Sequence, residues 1–144
     1  MTRRFFSIVV LALALVVGAC GGSNPASPDP PTPAEPKWST IWGVEVKPGS
    51  TVRVGQGTTI LVVLNTLEAG ILREATFVVT RPDGEVVTLS SASFVSQIVG
   101  VREAAGTGYQ PPLPGKYSFT VTVKETKSGR QGPALLANGE FTAQ

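Results

Sequence analysis

The chain has 144 residues, with 12 lysines and arginines, 10 aspartates and glutamates, no histidine and one cysteine. The net charge of +2 comes from Arg3 and Arg4, because the other ten basic residues balance the ten acidic ones. A nucleic-acid-binding domain normally carries a basic surplus, so we expect no nucleic-acid partner. Without histidine, and with a single cysteine, the commonest catalytic and metal-binding side chains are missing. We therefore predict neither an enzyme nor a metal site.

The first nineteen residues have the layout of a secretory signal peptide. Arg3 and Arg4 form a short positive segment, and the apolar run FFSIVVLALALVV follows from residue 5 to residue 17. The apolar stretch is shorter than the ~20 residues that span a hydrocarbon core. We therefore predict that residues 1–19 are removed on export rather than kept as a transmembrane helix.

The cleavage region is more specific than a generic signal. Val17-Gly18-Ala19-Cys20 resembles the lipobox of bacterial lipoprotein precursors, in which an aliphatic residue and two small residues precede a cysteine. The resemblance implies cleavage between Ala19 and Cys20, a diacylglyceryl thioether on Cys20 and an N-acyl chain on its freed amine. About two acyl chains suffice for stable membrane anchoring. This covalent lipid is the only non-protein group that we expect.

Two smaller features bear on export and destination. The segment TRRFF, residues 2–6, resembles the twin-arginine export motif, but paired arginines are common in signal peptides and the general secretory route is favoured. Gly21 stands where an aspartate favours inner-membrane retention of Gram-negative lipoproteins. We expect an exported protein that is lipid-anchored to a bacterial cell membrane, with the outer membrane favoured in a Gram-negative cell.

Residues 20–36 join the lipidated cysteine to a proline-rich segment, GGSNPASPDPPTPAEP. This segment has no aromatic residue and no aliphatic residue larger than alanine, so it cannot bury enough apolar surface to fold. Polyproline II extends ~3.1 Å per residue, which gives a reach of up to roughly 50 Å. We predict a disordered stalk; the alternative is a PxxP docking ligand at residues 28–31 or 30–33.

Residues 37–144 are predicted to form one all-β domain. Valine and threonine, which favour strands, make up 28 of these 108 residues, and no window has the helical period. Phe77 or Trp42 is the expected core aromatic residue. Residue patterns and turn signals predict strands at 38–46, 58–64, 74–80, 85–89, 94–101, 117–124 and 134–142. The strand at 58–64 is apolar on both faces, as expected for a central strand, whereas those at 38–46, 74–80 and 117–124 alternate between apolar and polar residues.

Short strands with turns between them predict an antiparallel sandwich of about seven strands. Residues 113–117, LPGKY, run straight into an alternating strand and resemble the tyrosine corner of immunoglobulin-like and fibronectin type III domains. The resemblance implies that the Tyr117 hydroxyl bonds back to the backbone and fixes the turn. The immunoglobulin cysteine pair is absent, so the kinship is to bacterial immunoglobulin-like modules. Such a fold identifies no activity.

Few side-chain combinations in this domain suit catalysis or metal binding. Ser118 and Lys116 are the one combination that could form a catalytic Ser–Lys dyad. The favoured interpretation is that both side chains are solvated on a strand surface. The acidic residues are scattered, and no loop carries the closely spaced oxygen ligands that calcium needs.

Binding through loops is the remaining prediction. Tyr109 lies in a glycine- and proline-rich stretch, 104–115, which is predicted to be a loop where Tyr109 either contacts a partner or caps the core. Lys127 and Arg130 are candidate contacts to an anionic lipid or acidic polymer, with a solvated turn as the alternative. We predict a non-catalytic envelope module that binds or spaces an envelope protein or polymer. The alternative is a protease-inhibitor or chaperone-like sandwich that acts through an exposed loop or an edge strand.

Overall fold

A computed structural model describes residues 30–91 and 93–144. The predictions of a signal peptide, of cleavage after Ala19 and of a lipid on Cys20 lie outside these residues. Residues 30–39 have no regular secondary structure, and residues 30–35 are exposed. Within the described ranges, no helix is long and apolar enough to cross a membrane. The folded body is one compact unit, Ala34–Gln144.

The described chain forms an all-β immunoglobulin-like sandwich, as predicted. One sheet has the strand order β1-β3-β7, and the other has the order β2-β10-β8-β4-β5, with β6 paired to β4 and β9 to β8. All pairs are antiparallel except β2 with β10. The strands are β1 (Thr40–Lys47), β2 (Thr51–Val52), β3 (Thr58–Asn65), β4 (Leu72–Thr80), β5 (Val86–Ser90), β6 (Phe94–Val95), β7 (Arg102–Tyr109), β8 (Gly115–Lys127), β9 (Arg130–Gln131) and β10 (Leu135–Ala143).

The core lies between the two sheets and follows the predicted alternation. β3 is the central strand of the three-stranded sheet and is apolar on both faces, as predicted. Phe77 of β4 is fully buried and is a core aromatic residue. Alternate residues of β4 and β8 face the core, which includes Ala75, Val79, Tyr117, Phe119, Val121 and Val123.

Trp42, by contrast, does not belong to the core. The pairing of β1 with β3 shifts between Ile41 and Gly43, so Trp42 is the extra residue of a β-bulge. The bulge reverses the alternation, and Ile41 packs against the core together with Val44, while Trp42 stays half exposed. The expectation that Trp42 is a core aromatic is therefore wrong.

The region from residue 94 to residue 115 also differs from the prediction. β6 ends at Val95, residues 96–101 form a loop, and β7 covers the first half of the predicted 104–115 loop. The alanines and glycines of β7 suggest a loop, but they suit a strand that packs closely on β3. At Gly106, for example, a Cβ atom would overlap the Leu61 side chain.

The turn before β8 is closed by the hydroxyl of Tyr117. This side chain is fully buried, and its hydroxyl donates to the Leu113 carbonyl oxygen at 2.7 Å. The Tyr117 hydroxyl oxygen in turn accepts a hydrogen bond from the Leu113 backbone N–H at 3.1 Å. These two bonds hold the turn against the first residues of β8.

Replacing Tyr117 with phenylalanine is expected to lower the free energy of unfolding by about 1 kcal/mol. The ring still fills its place in the core, but the buried backbone groups of Leu113 lose a partner. Urea unfolding of the 34–144 unit measures the change. An unchanged transition midpoint would show that the hydroxyl does not stabilise the corner, while leaving the sandwich itself in place.

Candidate functional site

The sandwich has two ends that differ in character. The tether end, where the linker joins the body, consists of residues 37–39 and the loops 66–71, 96–101 and 128–134. The far end consists of the loops 48–57, 81–85 and 110–114. This division follows from the strand register, which pairs Thr40 with Asn65 and Asn65 with Arg102 at one end.

The first residues of the body are fixed to the tether end by two acidic side chains. The Lys37 backbone N–H donates to Glu68 Oε2 at 2.6 Å. Two residues later, the Ser39 backbone N–H donates to Glu125 Oε2 at 2.8 Å, in a buried contact. The linker therefore meets the sandwich at a defined place.

A buried arginine organises the tether end beneath these contacts. The Arg73 side chain is fully buried, and its Nε donates to Glu125 Oε1 at 2.8 Å. Its Nη2 donates to Ser39 Oγ at 2.6 Å and to Thr66 Oγ1 at 3.2 Å, and its Nη1 binds the Glu103 carboxylate. One guanidinium thus links both sheets to the segment that precedes β1.

The two carboxylates around Arg73 sit in different surroundings. Glu125 is almost completely buried, whereas about a fifth of the Glu103 side chain is exposed. Burial alone would raise the pKa of Glu103, but hydrogen bonds from Thr66 and Arg73 and the Arg73 charge together hold that pKa below its usual value. The ring of Phe94 also contacts the guanidinium, with 5.6 Å between Cζ and the ring centroid.

The buried polar atoms of this Arg73 cluster are all paired. In residues 30–91 and 93–144, every buried side-chain nitrogen and oxygen has a hydrogen-bond partner. Sequence reasoning missed the cluster, although a signal exists. Arg73 lies two residues before Ala75 on β4, so it faces the core as Ala75 and Phe77 do. Glu125 lies two residues after Val123 on β8 and faces the core in the same way.

Lys127, a predicted binding residue, is engaged inside the tether end. Its Nζ pairs with Glu68 and donates to the Ala69 carbonyl oxygen at 2.7 Å. The hydrogen bond from Lys127, followed by the one from the Lys37 backbone, lowers the pKa of Glu68. Arg130, on β9, is exposed at the same end.

Tyr109 lies elsewhere, at the far end. It is the last residue of β7 and is buried, with its ring centroid 5.9 Å from that of Tyr117 and 6.3 Å from that of Phe141. Its hydroxyl accepts a hydrogen bond from Arg81 Nε at 3.2 Å. The interpretation of Tyr109 as an exposed binding residue is wrong; it caps the core, which was the alternative. The predicted binding residues therefore do not form one site.

The tether end also exposes a group of apolar side chains. Four backbone bonds join loops 66–71 and 96–101, among them Thr66 N–H to the Val101 carbonyl at 2.9 Å and Gly100 N–H to the Thr66 carbonyl at 2.8 Å. The apolar cluster consists of the exposed residues Leu67, Ile98, Val99 and Val101 on these two loops.

The residues of the Ser–Lys pair lie on the surface. Lys116 Nζ lies 2.7 Å from Glu140 Oε2 on an exposed strand surface, and Ser118 is exposed beside them. Across the part of the chain that the structure describes, no group of three or more potential metal ligands comes together.

Comparisons with known proteins find solved structures that resemble this chain in fold. No protein-family model matches the chain, and no curated protein matches it. The alkylpurine DNA glycosylase AlkC of Pseudomonas fluorescens, solved bound to DNA containing an abasic site analogue, matches with a TM-score of 0.51 and 14% identity, over 74% of this chain and 30% of that one. This chain therefore spans less than a third of the glycosylase.

Two further solved structures match over most of their own lengths. A CARDB domain of the PF1109 protein from Pyrococcus furiosus, solved with di-metal ions, gives a TM-score of 0.47 at 16% identity, over 75% of this chain and 90% of that one. An ASH/PapD-like domain of human CEP192 gives 0.41 at 14% identity, over 78% and 90%. At such identities, what the comparisons establish for this chain is its sandwich fold.

Proposed function

We propose that this chain is a bacterial lipoprotein, cleaved before Cys20 and acylated there, whose sandwich is a non-catalytic module that binds or spaces other envelope components. The observation that carries the proposal is the series of a positive segment, a short apolar run and Val17-Gly18-Ala19-Cys20, followed by a proline-rich linker. Two or three acyl chains hold such a protein on a membrane without further contacts.

The architecture of the body supports this arrangement. The linker meets the sandwich through Lys37 and Ser39 at the tether end. An anchored molecule would therefore present its far end, with loops 48–57, 81–85 and 110–114, away from the lipid. A rigid sandwich with one tethered end and one presented end suits a spacer or an interaction module.

The side chains that could do chemistry are engaged in structural contacts, which supports a non-catalytic role. Arg73 and Glu125 bind each other in the core, and Lys116 pairs with Glu140 on the surface. A broad hydrolase panel tests this directly, because turnover that Ser118→Ala abolishes would contradict the proposal.

Intact mass spectrometry of the membrane-extracted protein tests the anchor. We expect loss of residues 1–19 together with the added mass of a diacylglyceryl group and an acyl chain on Cys20. The control variant, Cys20→Ala, should keep its signal peptide and carry no lipid. A wild-type protein that retains Met1, or whose Cys20 is unmodified, would contradict the proposal.

A second candidate function is recognition of an extended chain by an edge strand, as in a chaperone-like sandwich. β7 ends the three-stranded sheet, and its eight residues pair with β3 on one side. A free strand edge is a template for adding another strand. The inhibitor version of this candidate is less favoured, because the loop after β7 is short and Tyr117 fixes it at Leu113.

Site-specific photocrosslinking in the native membrane separates the two candidates. Gly108 on β7 and Gly43 on β1, at the opposite edge of the same sheet, both have open space where a Cβ atom would lie. A photoreactive side chain at residue 108 should capture unfolded chains or proteases if β7 is a binding edge, while the same group at residue 43 should not. Equal capture of wall or outer-membrane components at both positions favours the spacer function.

A further inference from the structure

The apolar cluster at the tether end combines four exposed aliphatic side chains on two neighbouring loops. Ile98 and Val99 are 60% and 55% exposed at the tip of loop 96–101. Leu67, on the loop hydrogen-bonded beside it, is also exposed. Adjacent exposed aliphatic side chains on loops of one end are typical of an interaction surface.

Charge at this end favours an anionic partner. Three acidic side chains at this end are paired: Glu103 and Glu125 bind Arg73, and Glu68 binds Lys127. Glu35 and Glu74 are exposed, and Glu74 lies opposite Lys124 in the register of β4 and β8. The cations Arg102 and Arg130 are exposed at the same end. Arg102 directly follows Val101 of the apolar cluster, and Arg130 pairs with Lys127 of β8. The accessible surface of this end therefore combines aliphatic side chains with positive charge.

An aromatic residue completes the surface. The guanidinium of Arg102 lies 3.8 Å from the ring centroid of Trp42, which is half exposed. Tryptophan and arginine next to aliphatic residues are the combination that proteins place at the boundary between water and lipid. The bulge in β1 that turns Trp42 outward thus adds it to this surface.

The position of the linker identifies the partner. The linker from Cys20 reaches the body at Lys37, which bonds to Glu68 next to Leu67. A lipid on Cys20 would therefore keep a bilayer within roughly 50 Å of this end, the reach of the proline-rich linker, and so at a raised effective concentration. A protein partner would have no such advantage at the tether end over the far end.

We propose that the tether end docks on the anionic surface of the bilayer, with Ile98 and Val99 entering the headgroup region and Arg102 and Arg130 contacting lipid phosphates. This inference rests on the proposed lipid anchor. Docking gives the anchored domain a fixed orientation, with its far end turned away from the membrane.

The experiment supplies the anchor chemically, so that it does not depend on cellular lipidation. The chain 20–144 has a single thiol, on Cys20, which is coupled to a maleimide phospholipid in vesicles of 30% phosphatidylglycerol in phosphatidylcholine. Acyl chains brominated near the headgroup quench the fluorescence of tryptophan that approaches them. The only two tryptophans are Trp38 and Trp42, and Trp42 lies on the proposed docking surface.

A matched pair of double variants tests the surface. Ile98→Asp/Val99→Asp places two charges in the docking surface, and Val86→Asp/Leu136→Asp places them at positions of equal exposure, 59% and 64%, on β5 and β10. We expect the first pair to abolish most of the quenching and to lower the vesicle partition coefficient of the uncoupled chain by at least about tenfold. The second pair should leave the quenching and the partition coefficient close to their wild-type values.

Three results would overturn the proposal: no quenching in the coupled wild type, equal loss in both double variants, or equal quenching on pure phosphatidylcholine vesicles and at high salt. Far-UV circular dichroism and melting midpoints check that both variants are folded, and Val99→Ser is a milder second variant for the same measurement. A native protein without lipid on Cys20 would instead contradict the proposed function and leave the vesicle result standing.

Discussion

Replacing Arg73 with methionine is expected to lower the free energy of unfolding by about 3–5 kcal/mol. Methionine fills much of the same space, but it leaves the Glu125 carboxylate buried with only the Ser39 N–H as a partner. A buried charge without its counterion is strongly destabilising because neither water nor a cation solvates it. Urea unfolding of wild type and variant measures the difference.

A second variant separates the loss of a charge partner from the loss of packing. Arg73→Met combined with Glu125→Leu removes both buried charges, and we expect it to recover most of the lost stability. Arg81 provides a control nearer the surface, because about a fifth of its side chain is exposed and it bonds to Glu85 and the Tyr109 hydroxyl. Its replacement by methionine should have a smaller effect. If Arg73→Met is no worse than Arg81→Met, the buried cluster does not stabilise the fold.

The position of the cluster gives it a role beyond stability. Arg73 binds Ser39 before β1, Thr66 after β3, Glu103 on β7 and Glu125 on β8. An apolar core could replace the energy of these bonds, but directional bonds also fix where the linker meets the sandwich. The loops of the tether end thereby keep one geometry relative to Ser39, at the start of the body.

Much of the fold could be predicted from local pattern. The alternation in β4, β8 and β10 gives their faces directly, and the turn before β5 needs a glycine at Gly84, where φ is +86°. These features are local, since each depends on residues close in sequence. For the same reason, the side chains of Tyr117 and Phe77 could be placed before the structure was known.

The features that were predicted wrongly from the sequence depend on contacts between distant segments. Nothing near Trp42 signals the bulge that turns it outward, because the bulge is defined by pairing with β3. Ile98 and Val99 suggest a strand by their residue types, yet they lie in a loop, while the small residues of β7 form the strand. Because strand and loop are interchanged relative to the prediction, Tyr109 lies in the core rather than in a loop. For the same reason, the apolar cluster at the tether end was not predicted.

Replacing Tyr109 with alanine is expected to lower the free energy of unfolding by about 3–5 kcal/mol, the usual range for removing a buried aromatic ring. The ring packs edge-on against Tyr117 and Phe141, so its loss leaves a cavity at the far end of the core. Urea unfolding and the melting midpoint measure the effect.

Tyr109→Phe distinguishes the ring from its hydroxyl. Phenylalanine keeps the packing and loses only the hydrogen bond from Arg81, a side chain that also pairs with Glu85, so most of the stability should remain. If alanine and phenylalanine are equally mild, Tyr109 is a surface residue and the binding interpretation returns. If only alanine is severe, a partner that binds wild type but not Tyr109→Ala is lost because the far end unfolds. It is not lost through a missing contact, because a ring held between Tyr117 and Phe141 is not accessible to a partner.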